Sequence, residues 1–506
     1  MSEIHFIDTT LRDGNQSLWA LNMPIGAMLP IAEQMDKAGF ESMEFFVSTM
    51  FKKYVHEHKV NPWDWIRLGS KRFIQTRLRY HGSMHGIFDK TPICILRLLI
   101  ERMVSYGITL TRDSNCWNDY ESFKREIDEL SAIGMQTVAN LIYTVSPRHT
   151  DEYFARKARE AAAMKPYRIC FKDVGGLLTP ERARTLIPII QKNIGTTPLE
   201  FHAHCNTGQA PLCYMEAVKL GIRTLHTGVP PLANGSALPS IFNIASNVRS
   251  LGHTPCVDEK VLEPVRDHFT AVAKKNGFPI GMPREYDHSL YLHQIPGGMI
   301  SNLRHQLKIA GLENKMEQVL EEAARVRAEF GYPIMVTPLS QFVGVQATIN
   351  VITGERYKEV IDQVLQYALG IWGEEATQVM DPDIRAKILD RPRAKEWERW
   401  TPPEPSLAEV RRRFSSAISD EELILRFYAG DKLVDALQHA GRPREFLDGK
   451  EPIVKLIEKI NECKGCNHIY LVRPGFSLRL ERHRRQPIPG TGTGGSAVVS
   501  VQEKAC

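Results

Sequence analysis

Asp13, His202 and His204 are the residues whose types and spacing first invite chemistry. His202 and His204 sit two apart in Phe201-His202-Ala203-His204, a stretch with strand character, and side chains two apart in a strand share a face. Two imidazoles on one face with a carboxylate beside them make a half-shell for a divalent metal such as zinc, manganese or cobalt. The pair alone also suits two polar residues at a strand end; Asp13, on a neighbouring strand end, tips the reading towards metal. Lys172, in Ile169-Cys170-Phe171-Lys172-Asp173, is unusual for another reason. Its strand carries the ammonium towards a site where an unpaired charge is costly. Two resolutions stand open at this point: an ion pair with Asp173, or a neutral amine that takes up CO2 and becomes an anionic carbamate.

The elements that must position these groups follow from periodicity. Apolar, β-branched segments recur at His5–Thr10, Ser42–Phe46, Phe73–Arg79, Gly107–Ser114, Gln136–Thr144, Arg168–Asp173, Leu199–Cys205 and Thr224–Val229. Helical patterns such as Asp119–Ile133 and Asp151–Ala163 lie between them. Alternating strand and helix in this number predicts a (β/α)8 TIM barrel over residues 1–257. Active sites of such barrels lie at the C-terminal strand ends, where Glu44, Arg79 and His226 join the residues above. No Gly-x-Gly-x-x-Gly follows the first strand, which argues against dinucleotide binding. From about residue 258 long amphipathic helices predominate, including Lys315–Phe330 and Tyr357–Leu369, and predict a mainly helical C-terminal domain, 258–480, completing the active-site mouth. The Gly- and Thr-rich end, 481–506, is expected to be a disordered tail.

With those residues in place, a family resemblance is plain. Asp8-Thr9-Thr10-Leu11-Arg12-Asp13-Gly14-Asn15-Gln16, Phe171-Lys172-Asp173-Val174-Gly175-Gly176 and Phe201-His202-Ala203-His204-Cys205-Asn206 resemble motifs of the biotin-dependent carboxyltransferases. These include the carboxyltransferase domain of pyruvate carboxylase, the oxaloacetate decarboxylase α subunit and the pyruvate-handling subunit of transcarboxylase. Ile295-Pro296-Gly297-Gly298-Met299-Ile300-Ser301 and Met335-Val336-Thr337-Pro338, further along, are similar to two more family blocks. The resemblance implies Asp13, carbamylated Lys172, His202 and His204 as metal ligands. It implies Arg12 and Gln16 as holders of a 2-oxo acid, pyruvate or oxaloacetate by default, and Arg79 as a contact to its carboxylate or enolate. Ser301 stands where the family has a threonine that moves a proton between biotin and the substrate carbon. The resemblance further implies a biotin carboxyl carrier protein and a biotin carboxylase subunit as partners, and a homo-oligomer, expected as a dimer.

Departures matter as much. Where the family continues its second strand with small glycines and an aspartate, this chain has Phe45-Phe46-Val47-Ser48-Thr49-Met50-Phe51. Tyr80 follows Arg79 where the family has glycine, and Gly86 or Ile87 replaces a tyrosine. These positions are expected to line the mouth and to leave another acceptor acid open. Residues 450–506 show no Ala-Met-Lys-Met biotin turn and no run of short strands, so the biotin is expected on a separate carrier. Ala163-Met164-Lys165-Pro166 falls in a barrel helix and is a decoy.

Two other readings compete. A Claisen-condensing synthase or lyase, isopropylmalate or homocitrate synthase-like, shares the first motif and a His-x-His-Asn pattern but not the strand-six lysine. An assembly scaffold that has lost catalysis would not be expected to keep all four ligands. Bulk properties exclude more than they choose. A net charge of +5 over 506 residues is too mild an excess to argue for nucleic acid. Nine cysteines at irregular spacings argue for free thiols. Cys463-Lys464-Gly465-Cys466 has half the spacing of a zinc knuckle, with only His468 near, and reads as a surface turn. With no apolar run long enough to span a bilayer and no signal peptide, the expected location is cytoplasmic.

Overall fold

The computed structural model describes residues 1–82, 91–113, 117–121, 123–295, 300, 303, 307–308, 311–414, 417–437, 441, 443–447, 468–473, 476–483 and 498–503. All eight expected strands form: β1 Glu3–Asp8, β2 Ser42–Val47, β3 Arg77–His81, β4 Leu110–Asp113, β5 Gln136–Ile142, β6 Arg168–Asp173, β7 Leu199–Ala203 and β8 Thr224–Thr227. They pair in parallel in sequence order, and β1 pairs with both β2 and β8, so the sheet closes into a barrel. A ninth strand of two residues, β9 Thr254–Pro255, pairs with the start of β1. Helices including Asp151–Ala163 and Pro180–Ile194 cover the outside. The third strand starts at Arg77, four residues later than expected. The amides of Ile74, Gln75 and Thr76 donate to the Asp36 carboxylate instead of to a ladder.

The lumen differs from the branched aliphatic packing usual in such barrels. Residues in register across neighbouring strands, Lys172 with His202, Cys170 with Glu200, and Glu44 with Arg79, all face inward. The resulting interior is polar, charged and buried.

The expected mouth lining of Phe45, Phe46, Phe51 and Tyr80 is corrected here. A bulge between Glu44 and Phe46 breaks the period of two, and the side chains beyond it turn outward. Phe45 stacks on Trp65 at 4.4 Å. Phe46 meets Phe51 at 5.0 Å, and Phe51 lies parallel to Tyr428 at 5.6 Å. Bulk has replaced the family's small residues to make an aromatic seam between the barrel wall and the helix Asp420–Ala429, not to redraw the pocket. Gly86 and Ile87 lie outside the described residues.

The helical part does not share one core. Trp117, Ile142, Ile295, Val326, Leu339, Leu365 and Ile388 belong to one apolar cluster. The helix Glu259–Asn276 and residues Val410, Leu423, Ile424 and Val434 pack into the barrel's own cluster instead. Towards the end β10 His468–Arg473, β11 Phe476–His483 and β12 Val498–Glu503 form an antiparallel sheet. This revises the expectation of no short strands there and of a tail without structure: Val498, Val499 and Val501 are β-branched, and the Gly-Thr-Gly run before them had masked that signal. Cys463 and Cys466 lie outside the described residues. Among the described residues, no helix is long and apolar enough to cross a membrane.

Candidate metal centre

Chain turns of unusual shape bring the cluster together. After β1, residues Thr10–Gly14 form a single π-turn, a distortion common at functional sites. Asp8, fully buried, accepts from the Thr10 amide at 3.1 Å and from its hydroxyl at 2.5 Å. Thr10 Oγ1 in turn accepts from the Val229 amide at 2.8 Å, tying the turn to the end of β8. Gly14 has no room for a side chain, because a Cβ there would lie 2.4 Å from the Leu232 carbonyl oxygen. The turn therefore lifts Arg12 and Asp13 over the lumen. After β6, the Asp173 carboxylate accepts from the amides of Leu177 and Leu178 at 2.9 and 2.8 Å. Asp173 thus closes its own turn.

Asp13 Oδ1 lies 3.6 Å from His204 Nε2, and Oδ2 lies 3.8 Å from His202 Nε2. One ligand atom from each of the three lies within 4.8 Å of the others. Lys172 is adjacent to His202 across β6 and β7. Burial, then Arg112 and Arg12, push its amine down to about 7. Against burial, Arg12, His204, Arg112 and Lys172 hold the Asp13 carboxyl well below the usual range. His204 Nδ1 lies 2.7 Å from the Ser236 carbonyl oxygen. A carbonyl only accepts, so Nδ1 carries the proton and Nε2 presents a lone pair to Asp13. His202 Nε2 is buried with no hydrogen-bond partner, and burial with Arg112 keeps its ring neutral. A buried, unpartnered nitrogen facing a carboxylate is what a divalent cation requires of a ligand.

Around these groups stand two residues that the sequence did not single out, Arg112 and Glu200. Arg112, on β4, lies 2.5 Å from Glu44 Oε1 and 3.2 Å from His202 Nδ1. Glu44 also accepts from Arg12 Nε at 2.7 Å, so its carboxylate is clamped between two guanidiniums. Glu200 accepts from both Arg79 Nη atoms at 2.8 and 3.1 Å and from His226 Nε2 at 2.9 Å. Gln16 Oε1 lies 3.4 Å from Arg12 Nη1, at the open side of the cluster. The structure thus brings Arg12, Asp13, Gln16, Lys172, His202 and His204 together. Arg79 stands apart. It is in register with Glu44, but its buried side chain reaches back along β2: the guanidinium is held by Glu200 and Nε donates to Ser42 at 2.7 Å. To touch a substrate it would have to leave both partners. Ser301 lies outside the described residues.

Residues 290–454 match a family described as a conserved carboxylase domain. Over 491 residues the chain is 32% identical to a pyruvate carboxylase subunit from Methanocaldococcus jannaschii, covering 95% of this chain and 86% of that one. The chain belongs to the biotin-dependent carboxyltransferases. This carboxyltransferase is an enzyme of carboxyl transfer, and it is also 29% identical over 439 residues to the 2-oxoglutarate carboxylase large subunit of Hydrogenobacter thermophilus, covering 84% of this chain and 66% of that one. In fold the carboxyltransferase resembles the carboxyl transferase domain of Rhizobium etli pyruvate carboxylase solved with oxamate and biotin. The TM-score is 0.79 at 21% identity, with 95% of this chain and 84% of that one covered.

Proposed function

We propose that this chain moves a carboxyl group between carboxybiotin on a separate carrier protein and a 2-oxo acid, with pyruvate and oxaloacetate as the default pair. One observation carries the reading: Asp13, His202 and His204 converge beside Lys172, and His202 Nε2 has no partner. Zinc, manganese or cobalt held by Asp13, His202, His204 and Lys172 would supply Lewis acidity to the substrate's 2-oxo group. Three arginines, Arg12, Arg79 and Arg112, already balance Asp13, Glu44 and Glu200 in and around the lumen. A fourth cation at Lys172 is unfavourable there, and a neutral amine is the form that adds CO2. The carbamate would bring an anionic oxygen to the ligand set.

Arg12 and Gln16, on the open side, hold the substrate carboxylate, and Arg12 steadies the enolate oxygen. Arg79 serves from below through Glu200 and His226. Ser301 carries the proton between the substrate methyl and biotin. The helical region after residue 258 completes the mouth over the barrel. The similar Methanocaldococcus jannaschii protein is by name one subunit of a pyruvate carboxylase, which supports a carrier protein and a biotin carboxylase subunit as partners. Free thiols at Cys94, Cys170, Cys205, Cys213 and Cys256 support a reducing, cytoplasmic setting.

The test is a screen of 2-oxo acids with the metal-loaded protein and free biotin. Biotin-stimulated decarboxylation of oxaloacetate, or labelled carboxyl exchange into pyruvate or 2-oxoglutarate, is expected. Release of free thiol from acetyl-CoA with no carboxyl exchange would overturn the reading in favour of a Claisen-type reaction.

A further inference from the structure

We propose a second metal site at the foot of the barrel, where Glu3, His5 and Cys256 hold a zinc ion that clasps β9 to β1. It shares no ligand with the lumen centre and lies at the opposite, N-terminal end of β1.

Backbone pairing assembles the three donors. Glu3 and His5 are two apart in β1 and so share a face. β9 runs parallel to β1, with Glu3 beside Thr254 and Ile4 beside Pro255. The Cys256 amide donates to the Ile4 carbonyl at 2.8 Å, which carries the register one step further and sets Cys256 beside His5. Neighbours in register point to the same side of a sheet, so carboxylate, imidazole and thiol stand together. One ligand atom from each lies within 4.8 Å of the others, and Glu3 Oε2 is 4.0 Å from His5 Nε2. Zinc bonds of about 2.0–2.3 Å place tetrahedral donors about 3.3–3.8 Å apart. The Glu3 and His5 side chains are 73% and 42% exposed, so rotating through that small difference meets little resistance. The donor set suits zinc. Carboxylate and thiolate together cancel the ion's two charges, imidazole is the third ligand and water completes the shell, the thiol losing its proton as it binds. Magnesium and calcium take oxygen donors and would gain little from two of these three groups. The place gives the ion a purpose. β9 has only two residues, yet it leads at once through the Asp258 cap into the helix Glu259–Asn276, which packs into the barrel's apolar cluster. Metal bonds across this short ladder would fix the entry to that helix.

The experiment uses the full chain, reduced and freed of metal, with cobalt(II) as the spectroscopic stand-in for zinc. A thiolate bound to cobalt gives a charge-transfer band in the near ultraviolet. The groups assigned to the lumen centre contain no sulfur and give none. The band is expected in the wild type and in Lys172→Ala, which disables the lumen centre. Cys256→Ser should abolish it. His5→Gln should weaken cobalt binding read at the band by about tenfold or more, since even an outer-shell partner is worth about 10–100-fold. Zinc should displace the cobalt and slow alkylation of Cys256, followed by peptide mass. In Lys172→Ala, zinc should also raise the midpoint of urea unfolding, and adding Cys256→Ser should remove that rise. A wild type without the band, a band that survives Cys256→Ser, or alkylation of Cys256 at the same rate with zinc overturns the site. A band with no zinc-dependent rise in the midpoint overturns the clasp. Failure of the lumen reading looks different: the band forms, and no second equivalent of cobalt is taken up.

Discussion

In the lower storey of the lumen Arg79 places three nitrogens on Glu200 and Ser42, and Glu200 still accepts from His226. Two residues further along β7, His202 belongs to the upper storey, where Asp13 stands 3.6 Å from His204 and 3.8 Å from His202, too far for a hydrogen bond to either. Both storeys are built from histidine, carboxylate and cation, and both are buried. The difference is closure. Below, each charge has a partner of opposite sign at hydrogen-bonding distance, so the lower storey holds shape. Above, Asp13 is braced by Arg12 at 2.7 Å and Ser17 at 2.9 Å, while the same two oxygens face the Nε2 atoms of His202 and His204. On the metal-site reading proposed above, the upper storey receives a charge that its own side chains do not provide.

Two substitutions separate the storeys most sharply. Lys172→Ala is expected to remove tight metal binding and to lower kcat/KM by about 10²–10³-fold or more. The metal-free protein should keep its Tm, because only a poorly accommodated cation is lost. Metal analysis and steady-state kinetics check this, and activity within tenfold of wild type would show that the upper storey does not need the lysine. Arg79→Met acts the other way. It leaves Glu200 buried without its cation and should destabilise the fold by about 3–5 kcal/mol, read as a lower midpoint in urea unfolding. A variant with an unchanged midpoint and abolished activity would make Arg79 a substrate contact after all.

The sequence announced the upper storey far better than the lower. His202 and His204 are readable because a strand's period of two fixes their shared face without any tertiary information. The eight strands are readable for the same reason, and β6 begins and ends where its pattern does. Arg112 and Glu200 carry no such mark. Each sits alone in a short strand, and only barrel closure puts Arg112 of β4 against His202 of β7. Arg79 was visible, but its direction was not: the downward reach to Ser42 depends on χ angles that no spacing encodes. Phe46 shows the limit of periodicity. One bulge reverses the face of every residue after it, so a position read as pocket lining became an aromatic seam.

A smaller, pH-dependent effect probes the turn that carries Asp13. Burial, opposed by the Thr10 hydroxyl and amide, pushes the Asp8 carboxyl up to about 7, from an ordinary value of 3.8. The folded chain therefore holds this proton more tightly than the unfolded chain. Asp8 contributes stability that is complete below about pH 4 and is lost as pH rises through about 7. Urea unfolding of metal-free protein should lose a few kcal/mol between pH 5 and 8 through this group. Asp8→Asn, which still accepts from Thr10, should flatten that slope. An unchanged slope in the variant would assign the pH dependence to other groups and separate the π-turn from it.

The smallest effect tests how firmly the upper storey is braced. Ser17 Oγ donates at 2.9 Å to Asp13 Oδ1, the oxygen that faces His204. Ser17→Ala removes one hydrogen bond to a charged group, about 1.5 kcal/mol in net terms, and two consequences oppose each other. The freed oxygen becomes a better donor to a cation, yet the carboxylate loses one of the contacts that fix its plane. Arg12 still holds the other oxygen at 2.7 Å, so most of the orientation survives. Metal affinity should fall by no more than about tenfold, well short of the loss in Lys172→Ala, with the Tm of the metal-free protein unchanged. If Ser17→Ala costs as much as Lys172→Ala, the cation site depends on bracing rather than on ligand charge. The upper storey would then be as closed a network as the lower one, and the contrast between them would fail.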